Sequence, residues 1–122
     1  MTAGITVLVV EDDSLIRMAI SSDLEDAGFL VHEAEDAAAA IVLLVSCPEI
    51  NILFTDVDMP GDMNGLKLAA AVRDRWPPIH IIVTSAYRDV TAASLPVPSQ
   101  FFSKPYCPDA VMRSMRAMSA AA

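Results

Sequence analysis

Five short apolar runs punctuate the chain, at Ile5 to Val10, Leu30 to Glu33, Ile50 to Thr55, Ile79 to Thr84 and Gln100 to Ser103, with longer stretches of helical character between and after them. This alternation predicts a parallel sheet connected by crossover helices. Runs that are apolar at nearly every position, such as Val7 to Val10 and Ile79 to Val83, suit central strands covered on both faces. Phe29 to Ala34 alternates more, as an edge strand would.

The intervening segments carry helix signals. Leu15, Ile16, Ala19, Ile20 and Leu24 recur at helical spacing, with Asp13 or Ser14 as cap and Gly28 as stop. Asp36 can cap a helix over Ala37 to Val45, and Asn64 one over Leu66 to Arg75 that closes at Pro77-Pro78. A last helix is predicted from Pro108-Asp109, turning Val111, Met112, Met115 and Met118 toward the core or a partner. The fourth crossover is irregular, because Tyr87 to Ser94 is short and Pro96 and Pro98 follow it. The expected fold is therefore α/β: a five-stranded parallel sheet with helices on both faces, flavodoxin-like and doubly wound, a (βα)5 chain with a short or irregular fourth helix.

At 122 residues the chain fits one domain, 1–122 with a structured core over about 4–118, that buries enough surface to need no disulfide. Cys47 and Cys107 lie far apart, outside any CxxC or Cys/His grouping, so they read as free thiols and packing residues rather than zinc ligands. His32 and His80, within or beside strands, have no metal-type partner nearby in sequence and read as structural. No apolar stretch is long enough to cross a bilayer, and Met1 to Gly4 does not open a signal peptide, so membrane insertion is not expected and the expected location is cytoplasmic. The net charge of −8, with no clustering of Lys and Arg, argues against direct nucleic-acid binding.

The chemistry gathers at strand ends. Glu11 and Asp12 follow the first run, Asp56 follows the third, Thr84 and Ser85 the fourth, and Lys104 the fifth, just before Pro105. In an open α/β sheet ligands sit beyond the carboxyl ends of the strands, so these groups converge on one basin. Two like charges about 4 Å apart cost on the order of 4 kcal/mol at an effective dielectric near 20, so converging carboxylates call for a cation, and oxygen ligands favour a hard divalent one. For Asp13, capping is the preferred role.

Taken in order, Val-Val-Glu-Asp-Asp, Phe-Thr-Asp-Val-Asp-Met-Pro-Gly with a following Asn-Gly-Leu, Val-Thr-Ser-Ala, and Phe-Phe-Ser-Lys-Pro-Tyr closely resemble a response-regulator receiver domain of two-component signalling, of the stand-alone single-domain type. The resemblance covers nearly the whole chain. It implies that Asp56 is the phosphoacceptor, receiving a phosphoryl group from a histidine kinase or histidine phosphotransfer protein of a two-component or phosphorelay system. It further implies Mg²⁺ (or Mn²⁺) held by Asp12, Asp56 and the backbone carbonyl of Asp58, with Glu11 orienting a bound water. Lys104 and Thr84 would contact phosphoryl oxygens, and Thr84 with Phe101 would form the switch that alters binding to a downstream protein target. Such a domain is a monomer or weak dimer and a signalling module, not an enzyme, despite its own autophosphorylation and autodephosphorylation. Two other readings compete: a small haloacid-dehalogenase-like phosphatase using Asp56 and Asp58 as its Asp-x-Asp pair, and a receiver fold that serves only as an interaction module.

Overall fold

The computed structural model describes residues 4–59, 61, 63–86 and 99–121. Among them run β1 (Thr6–Val10), α1 (Ser14–Asp26), β2 (Leu30–Ala34), α2 (Ala37–Ser46), β3 (Ile52–Asp56), α3 (Gly65–Arg75), β4 (His80–Ser85), β5 (Gln100–Ser103) and α4 (Pro108–Ala121). All four strand pairings are parallel, in the spatial order β2-β1-β3-β4-β5. The expected doubly wound sheet is thus present, with the alternating run at one edge. The expected short fourth helix, over Tyr87 to Ser94, and Pro96 and Pro98 lie outside the described residues.

Alternation along the strands builds two cores. Val7 and Val9 of β1 face Ile20 and Leu24 of α1 and Val111 and Met115 of α4. Leu8 and Val10 face the other way, onto Ala40 and Leu44 of α2 and Leu68 and Val72 of α3. Every residue of β1 and β3 is buried, as a strand covered on both faces requires.

Local signals set the ends of the helices. Asp13 caps α1 by accepting from the N–H groups of Leu15 and Ile16, Asp36 caps α2 through Ala39, and Asn64 caps α3 through Lys67. After α1 the N–H of Phe29 reaches Leu24 and that of Gly28 reaches Glu25, with Gly28 at φ 99°. That is a Schellman ending, and the positive φ is why a glycine stands there. Two helical positions depart from expectation: Leu15 is 79% exposed and Ala19 is exposed too, so α1 buries only the stripe containing Ile20 and Leu24.

The strand starts shift inward for a hydrogen-bonding reason. Ile50 and Ile79 are buried, but their N–H groups close turns onto Cys47 and Trp76, so the ladders begin later, at Ile52 and His80. At the other end β3 runs one residue further than its apolar run and takes in Asp56, which pairs in register with Thr84. The sheet order reverses between β1 and β3, and the crevice beyond their carboxyl ends is where this architecture places ligands.

Candidate functional site

Four of the five strand ends meet in that crevice. Glu11 and Asp12 leave β1, Asp56 ends β3, and one carboxylate oxygen from each lies within 4.8 Å of the other two. Glu11 and Asp56 are almost wholly buried, at 4% exposure each, while Asp12 is exposed. Lys104, just past β5, reaches across with its Nζ 2.6 Å from Glu11 Oε1 and 3.2 Å from Asp56 Oδ2. Its backbone N–H is held by the Ser85 carbonyl, which ties the end of β5 to that of β4.

The acidic loop is itself braced. Glu11 Oε2 accepts from the Asp13 N–H at 3.2 Å, and the Glu11 carbonyl accepts from the Arg17 guanidinium at 2.7 Å. Arg17 also pairs with Glu33 of β2 at 3.4 Å, so one side chain links α1, the β1 loop and the edge strand. Sequence reading missed this residue, because nothing in the local pattern marks a helix arginine as turning back toward the preceding strand.

Gly65 was also missed as a site residue, although Asn-Gly-Leu belonged to the recognised pattern. Its N–H donates to the Val57 carbonyl at 2.9 Å, bringing the start of α3 against the end of β3. A Cβ at Gly65 would fall inside the contact radius of the Asp56 carbonyl oxygen and 2.8 Å from Val57 Cα. Only glycine permits that approach.

Thr84 is buried beside Asp56 in the ladder, and the Val57 N–H bonds its carbonyl at 2.8 Å. Phe101 is half-buried against the α2/α3 core and pairs with Val83 rather than Thr84. Strand alternation therefore puts Phe101 and Thr84 on opposite faces of the sheet. The Asp58 side chain accepts from Ser85 Oγ at 3.2 Å. Tyr106, missed by sequence reading, packs edge-on against Phe54 with centroids 5.5 Å apart, and burial followed by the Glu11 charge pushes its phenol up to about 12.

Electrostatically the basin is short of positive charge. Burial, then repulsion from Glu11, raises Asp56 from 3.8 to about 6, against the downward pull of Lys104 and the nearby Asp58 backbone amide. Burial alone would lower Lys104, but its hydrogen bond to Glu11 and the charges of Asp56 and Glu11 outweigh it and the net shift is upward. The ammonium is drawn closer to Glu11, so Asp56 keeps a deficit. Asp56 Oδ1 is buried and has no hydrogen-bond partner among the described residues. An orphaned buried oxygen on a carboxylate that is clustered with two others fits a divalent cation with oxygen ligands.

A pH prediction follows from the raised Asp56. A carboxyl lifted in the folded state stabilises the fold while protonated, and that contribution is lost as pH rises through the folded value. In EDTA, Asp56→Asn, which keeps the neutral shape, is expected to gain on the wild type as pH climbs from about 4 to about 7, reaching about 2–3 kcal/mol. Urea unfolding of both proteins across that range measures the gap, and saturating Mg²⁺ is expected to shrink it.

The profile of the response regulator receiver domain family matches residues 7–116. The chain belongs to that family. As a receiver domain it is the phosphoacceptor module of two-component response regulators. Among curated relatives it is 34% identical over 103 residues to the sensor kinase CckA of Brucella abortus, covering 83% of this chain and 11% of that protein. It is 37% identical over 93 residues to the transcriptional regulator NtrC of Escherichia coli K12, covering 76% of this chain and 19% of that one. The chain spans only about a tenth to a quarter of the length of such relatives. The crystal structure of a response regulator receiver protein from Sinorhizobium medicae superposes with a TM-score of 0.87 at 28% identity, covering 96% and 95% of the two chains. The Thermotoga maritima response regulator TrrA, solved with Mg²⁺-BeF, gives 0.79 at 23% identity over 93% of this receiver domain and 98% of that chain, a likeness of fold. No helix among the described residues is long and apolar enough to cross a membrane.

Proposed function

We propose that Asp56 is the residue that takes the phosphoryl group, supplied by a phosphohistidine on a kinase or phosphotransfer protein, and that the domain acts by changing its binding to a protein target. The observation that carries this reading is the Asp56 carboxylate, clustered with Glu11 and Asp12, with Lys104 on its Oδ2 and its Oδ1 buried and unpartnered among the described residues. Once ionised, this carboxylate attacks phosphorus without a general base. The new bond joins an Asp56 oxygen to phosphorus as the phosphorus–nitrogen bond to the donor histidine breaks, and the imidazole leaves with the bonding pair.

In this reading Asp12, Asp56 and the Asp58 backbone carbonyl hold Mg²⁺ (or Mn²⁺). Glu11 acts through a bound water, in keeping with both of its oxygens being engaged by Lys104 and the Asp13 N–H. The ion's chemistry is charge neutralisation of the carboxylates and the incoming phosphoryl oxygens. Lys104 then leaves its bridging position to pair with one phosphoryl oxygen, and the Thr84 hydroxyl donates to another. The switch role of Phe101 remains part of this proposal, with the intervening residues 87–98 outside the described part of the structure.

A surface for the donor's approach lies beside the site. A hollow of about 450 Å³ lies between α1 and the β5–α4 loop, lined by Ile16, Ala19, Ala86, Lys104 and Tyr106 among others, and Met18 on the same helix is 60% exposed. Apolar surface next to the reacting group favours a protein donor over a small phosphate ester. The phosphatase reading requires Asp58 as a general acid, and the engagement of its carboxylate by Ser85 disfavours it.

Incubation with phosphoramidate, a phosphorus–nitrogen donor, is the test. The expected product forms only with Mg²⁺ and is released by hydroxylamine, as an acyl phosphate is; a hydroxylamine-stable product, or continuous turnover of phosphomonoesters, would favour another chemistry. Asp58→Asn is expected to change the decay rate of the phosphorylated form by severalfold, because Asp58 stands beside the acceptor and bears on attacking water. Decay at saturating Mg²⁺, followed by intact mass, checks it; superimposable curves would remove Asp58 from hydrolysis.

A further inference from the structure

His32, Cys47 and Glu49, which sequence spacing keeps apart, are brought together by the fold. One potential ligand atom from each lies within 4.8 Å of the other two. The group sits at the β2 edge of the sheet, away from the β1–β3 crevice. His32 is paired with Leu8 in mid-strand and shares the face of Ala34, which packs with α2. Cys47 is the C-cap of α2, its N–H bonded to the Leu43 carbonyl at 2.8 Å. Glu49 follows two residues later, in a turn closed by the Ile50 N–H on the Cys47 carbonyl at 3.3 Å. Pro48, second in that turn, presets its backbone angle and so limits how far the thiol and carboxylate can part.

The spacing suits a tetrahedral ion. Two ligands each about 2.0–2.1 Å from a zinc stand roughly 3.3–3.4 Å apart, and His32 Nε2 is 3.5 Å from Glu49 Oε1. All three residues are partly exposed rather than sealed in the core, so an ion can reach them. A hollow of about 470 Å³, lined by Thr6, Glu25, Phe29, His32 and Glu49 among others, adjoins two of the three, His32 and Glu49, and leaves room for a water or an exogenous ligand.

We propose that His32, Cys47 and Glu49 form a second metal site, for Zn²⁺ or a comparably borderline divalent ion, with its fourth position open. Ligand softness separates it from the strand-end basin: thiolate and imidazole select zinc-like ions, whereas carboxylates and water select Mg²⁺. A bound ion would clip the end of α2 and the turn after it to the edge strand β2. It would raise the unfolding temperature with increasing metal, since the unfolded chain holds these three residues in no fixed arrangement.

The test is titration of the full chain with Co²⁺, a zinc surrogate whose thiolate charge-transfer absorption reports sulfur ligation. The expected result is a saturable band that Zn²⁺ displaces and that survives in Asp56→Asn and in Cys107→Ser. Cys47→Ser should abolish it, and His32→Gln and Glu49→Gln should each weaken Co²⁺ binding by at least about tenfold. Circular dichroism matching the wild type shows that these half-exposed substitutions leave the fold intact. Absence of the band in the wild type, leaving only a His32–Glu49 ion pair, would overturn the proposal. So would a band that persists in Cys47→Ser, or one indifferent to both His32→Gln and Glu49→Gln.

Discussion

Gly65→Ala is expected to destabilise the domain by about 2–3 kcal/mol and to slow its phosphorylation, although the substitution changes no group that contacts phosphate. The added methyl has no room: the Asp56 carbonyl and Val57 Cα occupy its place, and both are backbone. Relief comes only if the first turn of α3 moves away from β3, which strains the Gly65–Val57 hydrogen bond and shifts the backbone carrying the acceptor. Urea unfolding gives the stability and labelling rates give the activity. Gly61→Ala is the control, since Gly61 also sits in the loop but a Cβ there meets nothing within 4 Å. Its positive φ of 95° makes alanine cost about 1–2 kcal/mol in backbone strain alone, and labelling should be largely spared. Equal losses of labelling in the two variants would show that loop strain, not close approach, is what matters.

Lys104→Ala is expected to split two properties that a simple loss of structure would lower together. Phosphoryl acceptance should fall by about 10²–10³-fold, the usual cost of removing one fixed donor from a developing charge. Mg²⁺ affinity should instead rise, by at least roughly threefold, because the ammonium 2.6 Å from Glu11 and 3.2 Å from Asp56 opposes a divalent cation in the same basin. Calorimetric Mg²⁺ titration beside labelling rates checks both signs. A variant that lost metal binding as well would mean that Lys104 organises the acidic loop rather than balancing it.

The sequence carried the architecture well because the relevant physics is local or periodic. Fully apolar runs marked β1 and β4, which are covered on both faces, and Asp36 and Asn64 announced their helices through short-range capping. The candidate site was legible for a different reason: strand ends in a parallel sheet converge, so Glu11, Asp12, Asp56, Thr84 and Lys104 could be assigned to one basin from their places after apolar runs. What escaped was long-range and particular. No pattern in the sequence tells that Arg17 folds back on the Glu11 carbonyl, that α3 starts against β3 at Gly65, or that Cys47 at a helix end meets His32 on a strand. Each depends on which way one side chain or one turn points once the sheet is assembled. Exposure of Leu15 belongs with these, because the helical period gives a stripe without saying how wide the neighbouring sheet is.

The central claim is that residue 56 carries the transferable phosphate within a cation-dependent basin. Borohydride reduction of the phosphorylated protein, followed by peptide sequencing in a mass spectrometer, tests it most directly, because reduction turns an aspartyl phosphate into homoserine at the modified position. The account predicts homoserine at position 56 when Mg²⁺ is present, and none when it is chelated or in Asp56→Asn. Homoserine at position 58 or 12, or undiminished modification in EDTA, would contradict it.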